Sequence, residues 1–354
     1  MKYRKLGNTD IDVSEICLGS MTWGVQNTQQ DAFDQLNYSL EQGINFIDTA
    51  EIYPVPVNAK KWGTTDRYIG EWFKQTGNRD KVILAGKVAG RSPMGFLRKG
   101  AEGLKNTKES RLSREQILYS CDEALKRLQT DYIDIFQLHW PERSTNFFGK
   151  LNYVHADDND PVPLEETLAA MGELVKSGKV RHIGLSNETA WGTMKYMDIA
   201  KEKGLPKPVS IQNPYSLLCL HYEVGLAEIS MREKCGLLAY SPLGFGALSG
   251  KYLGGEKPEG ARITLWPQEF PRYFTDKGVA ATTEYVKLAQ DNGLDPSQMA
   301  LAYLLTKPFV TSLIIGATTR PQLEINIGAS DLELSDELMK KLEALTAKYS
   351  NPCP

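Results

Sequence analysis

Eight short apolar runs recur along the chain, separated by longer segments of helical periodicity, and this alternation limits the fold more than any other feature. The runs are ICLGS from Ile16, NFIDT from Asn45, VILAGKV from Val82, IDIFQLH from Ile133, VRHIGLS from Val180, VSIQN from Val209, GLLAYS from Gly236 and SLIIG from Ser312. Between them, Gln30–Gln42, Asp66–Gln75, Arg114–Leu128, Leu164–Ser177, Thr189–Glu202, Glu223–Lys234 and Thr275–Asn292 repeat apolar residues at three- and four-residue spacing and read as helices. A strand buried on both faces is apolar throughout, whereas a helix covering it needs only one apolar stripe. Eight such βα units predict an α/β fold closed as a (β/α)8 TIM barrel, with residues 1–354 as a single domain. A doubly wound open sheet would call for a G-x-G-x-x-G turn after the first strand, where this chain has GSMTWG. Ahead of that strand, YRKLGNTDIDVSEI holds two short runs around a Gly-Asn-Thr-Asp turn, which predicts a hairpin closing the bottom of the barrel.

The regular spacing is broken at Pro54–Gly63, Arg91–Arg111 and Pro141–Pro163. All three stretches follow strand ends and are expected to gather on the C-terminal face, where barrels build their sites. The partner expected there is a small molecule. A net charge of −3 with scattered basic residues gives no footprint for a nucleic acid or an anionic membrane surface. The N-terminus lacks an apolar signal-like region and no run is long enough to span a bilayer, so a cytoplasmic protein is expected. Five separated cysteines and four histidines without ligand spacing predict reduced thiols and no metal.

The polar residues at the strand ends carry the chemistry. The second strand ends in Asp48, with Tyr53 five residues on; the third ends in Lys87 and the fourth in His139. Singly, each has an ordinary explanation as a turn cap, an amphipathic aromatic, an exposed lysine or a core histidine. Together they form an acid catalyst. A phenol titrates near 10 and needs help to give up a proton at neutral pH. Lys87 would stabilise the phenolate, Asp48 would hold the Lys87 ammonium, and His139 would orient a carbonyl oxygen. Such a set suits protonation of the alkoxide formed when a hydride attacks a carbonyl.

The order GSMTWG, INFIDTAEIYP, VILAGKV, DIFQLHWP, HIGLSNE, IQNPYS, AYSPLGFGALSGKY and IIGATTRPQLEINI resembles the aldo-keto reductases over residues 3 to 345. The inserted YPVP and the NPYSLL run are similar to the bacterial Tas-type members. The resemblance implies that Asp48, Tyr53, Lys87 and His139 are the catalytic tetrad, with Tyr53 as general acid. It implies an NADPH site in which Ser186, Asn187 and Gln212 hold the nicotinamide carboxamide, Tyr240 stacks on its ring, and Ser20, Met21 and Asp48 lie close by. Ser241, Leu243, Gly244 and Lys251 would contact the diphosphate and Arg262 the adenosine phosphate. Gly316, Thr318, Gln322 and Asn326 would form the adenosine end. Trp23 and Trp140 are placed to wall an apolar substrate pocket with Tyr53 and His139. Trp191 and Trp266 are less well placed, although Trp266 lies in a loop that could fold over the cofactor.

The adenosine end departs from the family pattern. Ile325 stands where many members have Glu, and Gln322 where some have a basic residue, so NADPH preference rests on Lys251, Arg262, Thr318 and Arg320. The activity implied is reduction of an aldehyde or ketone to an alcohol. An alternative is an NADPH-binding regulatory subunit with slow turnover, since the family includes channel β-subunits. A cofactor-free barrel lyase or isomerase would leave Gln212, Tyr240 and Lys251 without a role.

Overall fold

The computed structural model describes residues 1–354 and closes eight parallel strands into a barrel. A hairpin of β1 (Tyr3–Lys5) and β2 (Asp12–Ser14) precedes it. The barrel strands are β3 (Ile16–Gly19), β4 (Phe46–Asp48), β5 (Ile83–Val88), β6 (Ile133–Leu138), β7 (Val180–Ser186), β8 (Ser210–Pro214), β9 (Gly236–Tyr240) and β10 (Val310–Ile315). They pair in chain order, and β10 closes the ring on β3. All eight predicted runs are therefore barrel strands, and the hairpin forms as expected. Its Leu6 and Val13 pack with Cys17, Phe46, Ala85, Ile135, Leu238 and Ile314, which fills the bottom of the barrel.

The seven predicted helices are α1 (Gln29–Glu41), α2 (Thr64–Thr76), α3 (Arg114–Leu128), α4 (Leu164–Lys176), α5 (Ala190–Lys203), α6 (Tyr222–Glu233) and α8 (Asp276–Asp291). Their starts follow local chemistry. Thr28 and Asp31 form a reciprocal capping box on α1, and Thr189 and Thr275 cap α5 and α8. Four further helices complete the chain: α7 (Arg262–Leu265), α9 (Pro296–Leu305), α10 (Arg320–Gly328) and α11 (Asp336–Lys348). The α9 helix buries every residue from Met299 to Leu304, so it lacks the polar face that marks a surface helix in sequence. No helix is long and apolar enough to cross a membrane.

Because the strands run parallel, every C-terminal end opens on one face, where the three long loops gather. Two of these are tied to each other. Arg91 donates to the Asn159 carbonyl at 2.9 Å, and Arg111 pairs with Glu142 while its backbone N–H bonds Gln116 at 2.9 Å.

Candidate active site

Strand register sets the first contacts. Asp48 ends β4 opposite Ala85 of β5, Lys87 lies opposite Gln137 of β6, and Ser186 opposite Gln212 of β8. Alternation along each strand then turns Asp48, Lys87, Gln137 and Gln212 toward a common centre. The Lys87 Nζ donates to Asp48 Oδ2 at 2.6 Å and to the Thr49 carbonyl at 2.9 Å, and stands 3.4 Å from the Tyr53 hydroxyl. Gln212 and Gln137 donate to the other Asp48 oxygen at 2.8 and 3.4 Å. The Asp48 and Lys87 side chains are 3% and 0% exposed. A buried ion pair is tolerable only with its remaining lone pairs and protons engaged, which is the condition met here.

The Tyr53 ring stands edge-on to His139, with centroids 5.9 Å apart. Burial pushes the Tyr53 phenol above its ordinary value, and the Lys87 ammonium pulls it back only part of the way. The expected net lowering is thus not found in the protein alone. Burial pushes Lys87 down, but Asp48 and Tyr53 outweigh it and hold the ammonium form. For His139, burial and the nearby Lys87 act together and hold the imidazole well below 6.5, so it is neutral at pH 7. Its Nδ1 is buried and has no protein partner.

The residues expected to hold a nicotinamide are joined by hydrogen bonds. The Tyr240 hydroxyl donates to Asn187 Oδ1 at 2.6 Å, and Asn187 Nδ2 donates to the His139 carbonyl at 2.8 Å. Ser186 Oγ bonds the Gln212 carbonyl at 2.8 Å, Ser20 Oγ bonds the Asp48 carbonyl at 2.6 Å, and Met21 packs in the apolar cluster around Tyr53. Burial pushes the Tyr240 phenol up to about 12 against the pull of Arg272, so it donates as a neutral hydroxyl.

Beyond Tyr240 the chain from Ser241 to Lys251 winds tightly. Ser241, Gly244, Phe245 and Gly246 all have positive φ, and Leu243 links the turns by accepting from Gly246 N–H at 3.0 Å. At Gly246 the positive φ is what favours glycine; a Cβ there would lie 3.2 Å from the flexible end of Lys251, which could move aside. Burial pushes both Lys251 and Arg262 down, Arg262 adds to the effect on Lys251, and no carboxylate offsets either. Two half-buried cations without counterions, beside a wound glycine-rich turn, fit a dinucleotide phosphate. At the far end the Gln322 side chain accepts from the Thr318 N–H and hydroxyl at 3.0 and 3.1 Å, and Asn326 donates to the Gly316 carbonyl at 3.4 Å. Space around a Gly316 Cβ is open. Arg320 points elsewhere: it pairs with Glu324 at 2.9 Å and lies over the Tyr38 ring at 3.5 Å.

Two of the four tryptophans named above are set apart. Trp23 is fully buried in the main core, and its Nε1 donates to Gln35 of α1 at 3.1 Å, so the structure makes it a packing residue instead of a substrate wall. Trp191 is exposed beneath Arg143. Trp140 lies next to His139 and Tyr53. Its ring stands 4.8 Å from His139 and clusters with Tyr53, Ile52, Leu97 and the partly buried Val55, Trp62, Met94, Phe96 and Phe147. Trp266 is half-buried in the loop after α7.

Gln137 and Glu51 join the site without belonging to the residues that the sequence pattern marks out. Gln137 had a signal, since it precedes His139 by two residues on one strand and so shares its face. Glu51 had none, because its partner Arg98 is 47 residues away.

The model of the Aldo/keto reductase family matches residues 15–347. The chain is 47% identical to Protein tas of Escherichia coli over 354 residues, covering all of both chains. It is 38% identical to an aldo-keto reductase of Babesia bovis over 287 residues, 77% of this chain and 98% of that one. It is 33% identical to the Bacillus subtilis uncharacterized oxidoreductase YrpG over 343 residues, 97% of this chain and 95% of that one.

Proposed function

The chain belongs to the aldo/keto reductase family, and from that premise we propose that it reduces the carbonyl of an aldehyde or ketone to an alcohol with NADPH, using Tyr53 as proton donor. The observation that carries the reading is the contact of Tyr53 with a buried ammonium, Lys87, itself fixed by Asp48.

Bound NADPH supplies the hydride. Tyr240 offers a flat face for the nicotinamide, and Ser186, Asn187 and Gln212 present the hydroxyl and amide groups that a carboxamide needs. Lys251 and Arg262 hold the phosphates, and the lack of a carboxylate beside Arg262, the residue assigned to the adenosine phosphate, supports the ribose phosphate of NADPH over NADH. Neutral His139 donates one ring N–H to the substrate oxygen and orients the carbonyl. The Tyr53 hydroxyl then passes its proton to that oxygen, and Lys87 stabilises the phenolate left behind. Trp140 and the aromatic and aliphatic cluster around Tyr53 exclude water and favour an apolar substrate body.

The test is NADPH binding, read as quenching of protein fluorescence, followed by loss of nicotinamide absorbance on adding an aromatic aldehyde. Tyr53→Phe is expected to retain binding and lose nearly all turnover. Full turnover by that variant would remove Tyr53 as the donor.

A further inference from the structure

Two residues before Tyr53, the Glu51 carboxylate is 2% exposed and collects donors from three separate parts of the chain. Arg98, which is fully buried, donates to Oε2 at 2.9 Å and to Oε1 at 3.1 Å. Ser120 of α3 donates to Oε2 at 2.6 Å, and the Ala89 backbone N–H donates to Oε1 at 2.6 Å. Arg98 is in turn fixed by Gln116 of α3 at 2.9 Å.

The positions of these groups matter more than their number. Ala89 follows Lys87 by two residues, just as Glu51 precedes Tyr53 by two, and the Glu51 N–H also bonds the Lys87 carbonyl at 3.2 Å. The two segments that carry the proton donor and its ammonium are therefore joined both through backbone and through this carboxylate. Arg98 comes from the inserted loop Arg91–Arg111, so the same group anchors a loop that walls the site through Met94, Phe96 and Leu97. Nothing in the acid–base chemistry needs this ion pair, and a buried pair stabilises a fold poorly compared with apolar packing.

We propose that Glu51, clamped by Arg98, Ser120 and Ala89, is a positioning residue that sets the distance between the Tyr53 hydroxyl and the Lys87 ammonium. The proposal rests on the reading of Tyr53 as proton donor. Its consequences follow from geometry: the Tyr53 hydroxyl stands 3.4 Å from Nζ, at the outer limit of a hydrogen bond, so a small outward shift of the Glu51–Tyr53 segment loses the contact. Burial pushes Glu51 up, and Arg98, Ser120 and Ala89 together bring it below its ordinary value, so it is ionised throughout the working pH range.

The experiment uses two variants of the full-length protein. Glu51→Gln keeps the shape and removes the charge; Ser120→Ala removes one donor and leaves no buried charge unpaired. Both are compared with wild type and Tyr53→Phe for NADPH affinity, kcat per cofactor-binding site, and the isotope effect on kcat with NADPH deuterated at the transferring position. Glu51→Gln is expected to lower kcat about tenfold, and Ser120→Ala about threefold, with NADPH affinity unchanged. The isotope effect is expected to rise in both, because chemistry has slowed relative to product release. A merely structural role would reduce the number of competent sites and leave both kcat per site and the isotope effect at wild-type values, and that result would overturn the proposal. Should Glu51→Gln fail to fold, Ser120→Ala alone decides the matter by the same readouts. Persistent activity in Tyr53→Phe would instead overturn the underlying assignment of the donor.

Discussion

Replacing Lys87 by Met separates the chemistry of the site from its stability. The Lys87 Nζ lies 3.4 Å from the Tyr53 oxygen, which at an effective dielectric constant near 20 amounts to about 5 kcal/mol in favour of the phenolate. Asp48 opposes it. The 2.6 Å and 3.4 Å contacts laid end to end put Asp48 Oδ2 no more than about 6 Å from the phenol, so its repulsion is at least about 2.8 kcal/mol on the same scale. Lys87→Met alone forfeits the attraction while the repulsion stays, whereas removing both charges forfeits at most about 2 kcal/mol net, or roughly 1.5 pKa units. Loss of the charge-assisted hydrogen bond to the phenolate removes about 2 kcal/mol more. If about half of the total for both charges is felt while the proton is in flight, kcat falls on the order of thirtyfold when the pair is removed, and by more in Lys87→Met alone, where the Asp48 repulsion remains.

Stability responds to a different term. In Lys87→Met the Asp48 carboxylate keeps only Gln212 and Gln137 as donors, so about 3 kcal/mol of folding stability should be lost. Adding Asp48→Asn removes the stranded charge. The double variant is expected to recover most of the stability by denaturant unfolding while its turnover of an aromatic aldehyde stays on the order of thirtyfold below wild type, above Lys87→Met only by the relief of the Asp48 repulsion. The reasoning fails if Lys87→Met turns over within threefold of wild type, or if the double variant regains wild-type activity along with stability.

Other consequences concern the phosphate end. Arg262→Leu should weaken NADPH binding by about 1.5 to 3 kcal/mol, more than tenfold, and NADH binding by less, whereas Arg320→Leu should change neither, because Arg320 is engaged with Glu324 and Tyr38; fluorescence titration with both cofactors checks this. NADPH affinity should also fall on the alkaline side. Lys251 titrates below 10.5 in the free protein because burial and Arg262 disfavour its charge, and a bound phosphate favours it, so affinity should be flat up to the depressed value and weaken above it, across the window to 10.5 and on until the bound form also loses its proton. A flat titration across that window would exclude Lys251 from the phosphate site. Folding linkage has the companion sign: the unfolded chain holds a proton on Lys251 that the native state gives up, so this residue adds to stability as pH rises through that window. Trp140→Ala should raise KM for an aromatic aldehyde severalfold with NADPH affinity unchanged, since the ring stands by His139 and away from Lys251 and Arg262.

How much of this could be read in advance depends on whether secondary structure alone determines where a residue ends up. A residue at the end of a parallel barrel strand must open on the C-terminal face, so Asp48, Lys87 and His139 were legible once the strands were counted, and the same rule would have reached Gln137. Residues in turns escape this rule. Trp23 follows a strand end closely, but the turn that takes Trp23 N–H back to the Ser20 carbonyl swings its ring onto Gln35. Arg320 stands two residues from Thr318, yet its four-residue spacing from Glu324 on one helix face offered a competing partner, and this local pair is what forms. The Tyr53 pKa shows the limit in energetic terms: sequence supplies the sign of the Lys87 charge, but the opposing desolvation depends on how far the long loops cover the phenol. Those loops are held by contacts between residues distant in sequence, such as Glu51 with Arg98 and Arg91 with Asn159. Reactive groups on strands are thus set by periodicity. Their tuning, and with it substrate preference, is set by loops whose conformation only long-range pairing determines.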